Sequence, residues 1–154
     1  MKVGVTVAAN DVSGRRRSMR QMVDQAVRAE ELGYDSVWVM DHIFIDRGTH
    51  VTDPGPDPMV LLGQIAARTS RVELGTLVLC APFRPPVQLA REAKALQEAS
   101  GGRLILGVGA GWHQPEFEAF GFPYDHRVGR FEDYLEVLTR LLRDGQSSYQ
   151  GTYQ

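Results

Sequence analysis

The sequence has a single cysteine, no long apolar segment and almost no charge imbalance. Cys80 has no second cysteine to pair with, so an internal disulfide is excluded, and its β-rich surroundings favour a packed thiol over a nucleophile. No apolar run approaches the roughly 20 residues of a membrane helix, and residues 1–9 are too short and strand-like for a signal peptide. A formal net charge of -2 gives no basic excess for nucleic acid or anionic lipid. We therefore expect a cytoplasmic protein with a small-molecule partner, and neither a nucleic-acid nor a membrane partner.

Motifs for several common chemistries are also missing. The sequence contains no phosphate-binding loop, no Cys-x-x-Cys and no Ser-His-Asp order, so nucleotide hydrolysis and nucleophilic hydrolysis both lack a motif. His50, His113 and His126 are scattered without metal-ligand spacing, which argues against a zinc site and favours surface histidines. Glu116 and Glu118 could serve as acids, but carboxylates in a loop are usually solvated. No metal site is predicted.

Apolar segments of β character alternate with amphipathic helical segments along the chain. Ser18 is a suitable N-cap for the first helix, and Asp57 followed by Pro58 is suited to start the second. Residues 109–126 are predicted to form a loop. The predicted strands are 3–7, 36–40, 72–79 and 103–108, and the predicted helices are roughly 18–32, 57–71, 87–100 and 127–146.

This alternation predicts parallel strands joined by right-handed crossovers. A doubly wound sheet would carry helices on both faces, whereas a barrel carries all of them outside and takes eight strand-helix units in about 250 residues. Four units in 154 residues therefore suggest half of a (β/α)8 barrel, with residues 1–154 as its N-terminal half.

The second predicted strand ends abruptly in an acid and an imidazole, Asp41 and His42. In α/β proteins, ligands collect where parallel strands end at their carboxyl termini, so these two side chains lie where a site is expected. The alternative is that Asp41 caps the following loop while His42 satisfies a backbone carbonyl. That loop runs for about 15 residues, a length typical of binding elements or of disorder.

Glycines cluster at the end of the fourth predicted strand, at Gly107, Gly109 and Gly111. A dinucleotide-binding fingerprint would need glycine or alanine at Trp112, and the next predicted helix starts too late to receive a pyrophosphate. Two interpretations remain open. Either the glycines let a flat ligand approach the backbone, or they permit a tight, well-packed turn.

Three segments together resemble the bacterial luciferase-like monooxygenase superfamily, most of all the branch that uses the deazaflavin coenzyme F420. They are residues 33–42 (GYDSVWVMDH), 75–79 (GTLVL) and 103–112 (RLILGVGAGW), in the order and on the elements that the family uses. The fourth predicted helix with its lead-in, residues 120–132, also fits the family. The resemblance runs from the first strand to the end of the chain.

The resemblance implies a (β/α)8 barrel with the flavin or deazaflavin lying across its C-terminal mouth. His42 matches the histidine that faces the reactive ring and handles protons, and Asp41 matches the acid beside it that contacts the cofactor. An adjacent Asp41 carboxylate is also expected to favour the protonated form of His42. The family carries a non-prolyl cis peptide near Leu77 and Val78. The cofactor-binding residues implied in this way are Asp41, Thr76, Leu77, Val78, Gly109, Gly111 and Trp112.

Two departures bear on the activity. Trp112 stands where some deazaflavin dehydrogenases place a glutamate acid, and the late strands that anchor the cofactor phosphate in the family are absent. The rival enzyme is an FMN-dependent monooxygenase that uses reduced flavin and O2. The alternative that is not an enzyme is a fragment without catalytic activity, because half a barrel leaves its first and fourth strands as unpaired edges. A homodimer or a completing polypeptide is therefore expected as a partner.

Overall fold

The computed structural model describes residues 1–46, 51–52 and 55–153 of the chain. His50, expected at the surface, lies outside these residues. Strands and α-helices follow one another in the order β1 (Gly4–Thr6), α1 (Met19–Glu31), β2 (Ser36–Val39), β3 (Ile45–Asp46), β4 (Val51–Thr52), α2 (Pro58–Arg68), β5 (Glu73–Thr76), β6 (Leu79–Cys80), α3 (Pro86–Ala99), β7 (Leu104–Ile105), β8 (Val108–Gly109), α4 (Gln114–Phe120) and α5 (Arg127–Asp144). A 3-10 turn, Ala81–Phe83, joins β6 to α3.

Four parallel strands form the main sheet in the order β1, β2, β5, β7. Each neighbour in the sheet is the next strand of the main series, and the helices pack in the same sequence, α1 on α2, α2 on α3 and α3 on α5. A doubly wound sheet would reverse its strand order and put helices on both faces. The sequential order is that of a barrel wound in one direction.

The third and fourth predicted strands are each divided into two short pieces. The peptide bond between Leu77 and Val78 is cis, as the resemblance implies, and it separates β5 from β6. The second pieces, β6 and β8, pair with each other in parallel. Thr76 Oγ1 donates to the Gly107 carbonyl at 2.8 Å and accepts from the Gly107 amide at 2.9 Å, so a side chain replaces the backbone ladder at the break.

Helix starts agree closely with the sequence. Ser18 caps α1 in a capping box with Gln21, and Asp57 Oδ1 accepts the Met59 and Val60 amides at the start of α2. However, α2 ends at Arg68, short of the predicted end at residue 71. The carboxylate of Glu30 on α1 accepts the amides of residues 70, 71 and 72, which holds that segment in a turn.

The buried apolar residues form two clusters. One lies between the main sheet and the helices α1 and α2, and the other lies between β6, α3 and α5. On α3, the buried positions are the predicted ones, Leu89, Ala90, Ala93 and Leu96. Within the described part of the chain, no helix is long and apolar enough to cross a membrane. The cytoplasmic location stays a prediction.

We expect Gly107→Ala to destabilise the protein by about 1–3 kcal/mol, because a small-to-large change in a filled space forces its neighbours to move. A Cβ at Gly107 would overlap the Thr76 carbonyl oxygen and lie 3.2 Å from Val78 Cγ1. Gly63→Ala is the matched control, since a Cβ there meets nothing within 4 Å and Gly63 lies inside α2. That control should gain about 0.5–1 kcal/mol from helix propensity. Urea unfolding of both variants measures the difference, and equal free energies of unfolding would contradict the expectation.

Candidate functional site

A cavity of about 310 Å³ opens where β2, β6 and β8 end, and we call it the strand-end cavity. Its lining residues are Asp41, His42, Leu77, Val78, Cys80, Gly109, Gly111, Trp112, Glu116 and Phe117. Every residue that the sequence assigned to the site is therefore in this lining, with the exception of Thr76. The side chain of Thr76 is buried and hydrogen-bonded to Gly107, so it braces the sheet beneath the cavity.

His42 is held by a carboxylate from a distant part of the chain. Its Nδ1 lies 3.0 Å from Glu116 Oε2, and the two side chains are 15% and 2% exposed. The second oxygen, Oε1, accepts the backbone amides of Ile43 at 2.5 Å and Phe44 at 3.1 Å. Opposite an ionised carboxylate, which can only accept hydrogen bonds, Nδ1 is the donor and Nε2 is the nitrogen left to exchange a proton with a ligand.

The structure corrects two predictions for the segment after β8, namely that residues 109–126 form a loop and that Glu116 is solvated. Residues 109–126 contain the helix α4, which begins with Pro115 in its first turn and ends at Gly121 in the left-handed conformation. The burial of Phe117 on α4 carries Glu116 into the interior, so the expectation that Glu116 is solvated was wrong. Glu118, which bonds only to Gln114 among the described residues, is exposed as expected.

The other described histidines differ from each other. His113 is buried, contrary to expectation, because its ring packs between those of Trp112 and Phe44 at the start of α4. His126 is exposed, as predicted. Among the described residues, no cluster of His, Cys, Asp and Glu could hold a metal ion.

Asp41 contacts Arg84 and Cys80 rather than His42. Its Oδ1 accepts from Arg84 Nη2 at 3.0 Å and its Oδ2 accepts the Cys80 amide at 2.9 Å, so it ties the end of β2 to β6. Burial raises the pKa of Asp41 above its ordinary value, although the Arg84 guanidinium and the Cys80 amide act in the opposite direction. The carboxylate in contact with the His42 ring is therefore Glu116 and not the adjacent Asp41.

Cys80 is a buried free thiol in the cavity wall. Burial raises its pKa to about 12, and the Asp41 and Glu116 carboxylates add to the effect. The thiol therefore stays protonated near neutral pH, which confirms a packed cysteine rather than a nucleophile.

The apolar wall is formed by the cis peptide segment and the turn after β8. Leu77 and Val78 expose their side chains, as does Trp112. A Cβ on Gly109 would lie 2.8 Å from Val78 Cγ2, and one on Gly111, whose φ is 78°, would overlap Phe117. Close packing against protein atoms therefore accounts for both glycines, which favours the tight-turn interpretation.

The model of the luciferase-like monooxygenase family matches residues 1–154. The chain belongs to this family. An F420-dependent glucose-6-phosphate dehydrogenase of Amycolatopsis mediterranei (strain U-32) is 34% identical over 157 residues, covering 99% of this chain and 45% of that protein.

Solved structures agree with this assignment. The monooxygenase RslO1 from Streptomyces bottropensis is 31% identical with a TM-score of 0.82, and the match covers 100% of this chain and 46% of that one. A type II Baeyer-Villiger monooxygenase from the CAM plasmid of Pseudomonas putida, solved in complex with FMN, gives a TM-score of 0.81 at 22% identity and covers 100% and 43%. The chain thus spans about half the length of the relatives it matches. With the sequential strand order, this confirms the (β/α)8 fold class, of which the first four units are present.

Besides Glu116 and Cys80, which the sequence did not assign to the site, Arg84 and Phe117 were not predicted either. Arg84 follows the 3-10 turn and reaches back to Asp41, and Phe117 packs beneath the turn at Gly111. The only signal for Phe117 was its position between Pro115 and Gly121, which mark a short helix. Arg84 carried no local signal, since its partner lies 43 positions earlier in the chain.

Proposed function

We propose that the chain forms the cofactor-facing part of a luciferase-like oxidoreductase that transfers a hydride between coenzyme F420 and a small organic substrate. The observation that carries the proposal is the buried His42–Glu116 pair, which opens into a cavity bounded by the Leu77-Val78 cis peptide and the turn after β8. An imidazole held through one nitrogen is well placed to give or take a proton with the other.

The lining suits a flat ring with one polar edge. Leu77, Val78 and Trp112 present apolar surface, and the His42 ring lies edge-on to Trp112 with ring centroids 5.6 Å apart. When bound, a deazaflavin supplies a ring carbon that accepts or donates the hydride. The protein then orients the reactants and excludes water, and His42 exchanges the accompanying proton at Nε2. Glu116 is a positioning residue, because it fixes the ring of His42 through Nδ1.

F420 is favoured over FMN because the relative matched over 99% of this chain is named as F420-dependent. The FMN-dependent monooxygenase is the second candidate, and it is supported by the likeness to RslO1, a monooxygenase at 31% identity. Both cofactors carry phosphate, and among its described lining residues the strand-end cavity has no lysine or arginine. We infer that the phosphate is held by groups outside this lining.

The edges of the sheet support the proposal of a completing partner. Within the described residues, β1 pairs only with β2 and β7 only with β5, so each outer strand has an unpaired edge. We propose that these edges are met by a second copy of the chain or by a further polypeptide that completes the barrel. The alternative, a fragment without activity, predicts a monomer that binds neither cofactor.

Titrating the purified chain with F420 and, separately, with FMN tests the proposal. We expect the emission of Trp112 in the cavity wall to be quenched, with F420 binding at least about tenfold more tightly, equivalent to about 1.4 kcal/mol. Because the chain has two tryptophans, Trp38→Phe isolates the Trp112 signal. Tighter binding of FMN would favour the monooxygenase. A monomer by light scattering, with no change in emission or cofactor absorbance, would contradict the proposal and favour the inert fragment.

A further inference from the structure

A second cavity, of about 410 Å³, lies between the 3-10 turn, the start of α3 and the first half of α5. We call it the aromatic cavity. Its lining is separate from that of the strand-end cavity and consists of Ala81, Pro82, Phe83, Arg84, Pro85, Pro86, Phe122, Pro123, Arg130, Phe131, Tyr134 and Tyr153. Nothing in the proposed redox chemistry uses this space.

Two buried polar atoms on the lining residues lack a hydrogen-bond partner among the residues that the structure describes. They are Arg84 Nη1 and Tyr134 Oη. The Arg84 side chain is 9% exposed and Tyr134 is 4% exposed, so water does not compensate either atom freely. Buried donors without partners are rare in native proteins because each is costly, and a pair of them on one cavity indicates a missing acceptor.

The charges around the cavity favour a neutral acceptor over an anion. Arg84 Nη2 already contacts Asp41 at 3.0 Å and Asp57 at 3.4 Å. Arg130 pairs with Asp125 at 3.2 Å. Since carboxylates face both cations, an anionic ligand would gain little attraction and would meet Asp41 and Asp57 close by.

The apolar walls determine the shape of the ligand. Phe83 and Phe122 have ring centroids 5.1 Å apart, and Phe131 and the prolines complete a surface suited to a flat aromatic ring. A carbonyl oxygen has two lone pairs, so it can accept hydrogen bonds from two donors. The Tyr134 hydroxyl stays protonated, because burial raises its pKa far above neutrality.

We propose that the aromatic cavity binds a small neutral aromatic carbonyl compound. The carbonyl oxygen accepts hydrogen bonds from Arg84 Nη1 and Tyr134 Oη, and the ring packs among Phe83, Phe122 and Phe131. Because Arg84 also holds Asp41, a ligand here contacts the residue that anchors one wall of the strand-end cavity. The proposal does not depend on which cofactor the strand-end cavity takes.

Titration of the chain with acetophenone, followed by amide chemical shifts, tests the site. Ethylbenzene has nearly the same shape without the carbonyl, and benzoate carries a charge in its place. We expect acetophenone to bind at least about tenfold more tightly than either, and Tyr134→Phe to weaken it by up to about tenfold through one lost hydrogen bond. Tyr34→Phe makes the same chemical change outside the lining and should leave the affinity unchanged.

Three results would overturn the proposal. If ethylbenzene bound as tightly as acetophenone, the cavity would recognise only apolar surface. If benzoate bound more tightly than acetophenone, the cavity would be an anion site. If the amide chemical shifts around Phe83 and Phe131 did not change, acetophenone would not bind in the aromatic cavity. The comparison of ligands on the unaltered chain stands even if Tyr134→Phe fails to fold.

Discussion

Replacing His42 with alanine is expected to lower the turnover number by about 100- to 10,000-fold, the usual contribution of a positioned acid or base. The affinity for the cofactor should change little, since Leu77, Val78 and Trp112 supply most of the apolar wall. Turnover is measured by F420 absorbance in whichever assembly of the chain is active, and affinity by Trp112 emission. The two readouts separate a lost proton transfer from a lost binding site.

His126→Ala is the matched control for this experiment. It removes the same imidazole from an exposed position that does not line the strand-end cavity. Its turnover number should equal that of the unaltered protein. Full turnover in His42→Ala would reject the proton-transfer role, and a parallel loss in both variants would indicate a structural effect instead.

The fold was accessible from the sequence because it rests on local, repeated signals. Capping residues such as Ser18 and Asp57 act within a few positions, and the apolar face of α3 repeats with the helical period. Parallel strands joined through helices then restrict the topology to few possibilities. The division of the third and fourth strands was not predictable in this way, since the bond between Thr76 and Gly107 joins residues 31 positions apart.

The sequence located the candidate site at the strand ends, but it paired His42 with Asp41, whereas the structure pairs His42 with Glu116. Asp41 and His42 are adjacent beyond the end of β2 and both line the strand-end cavity, yet their side chains bond to different partners, so adjacency in sequence is a poor guide to contact. Asp41 accepts a hydrogen bond from Arg84, while His42 contacts Glu116, which lies 74 positions later in the chain. A loop carboxylate offers no local sign of burial. Its depth was set by the packing of Phe117 against Phe83 and Tyr124, which only the folded chain provides.

The second large effect is expected at Glu116, where two substitutions separate its roles. Glu116→Ala removes the acceptor for the Ile43 and Phe44 amides, and each buried amide left unsatisfied costs about 1–3 kcal/mol. Urea unfolding should therefore show a marked loss of stability. Glu118→Ala removes the same group from the exposed side of α4, so its free energy of unfolding should stay close to that of the unaltered protein.

Glu116→Gln should keep most of the stability and still impair turnover. The amide oxygen can accept the two backbone amides, but the amide nitrogen is a donor and forces His42 Nδ1 to become the acceptor. The proton then moves to Nε2, so this nitrogen becomes a donor toward the ligand instead of an acceptor. The turnover number should therefore fall at least about tenfold. The histidine tautomer is measured from ¹⁵N chemical shifts of the ring. A fall in turnover without a change of tautomer would mean that Glu116 acts on the ligand directly, whereas unchanged turnover would show that its role is structural.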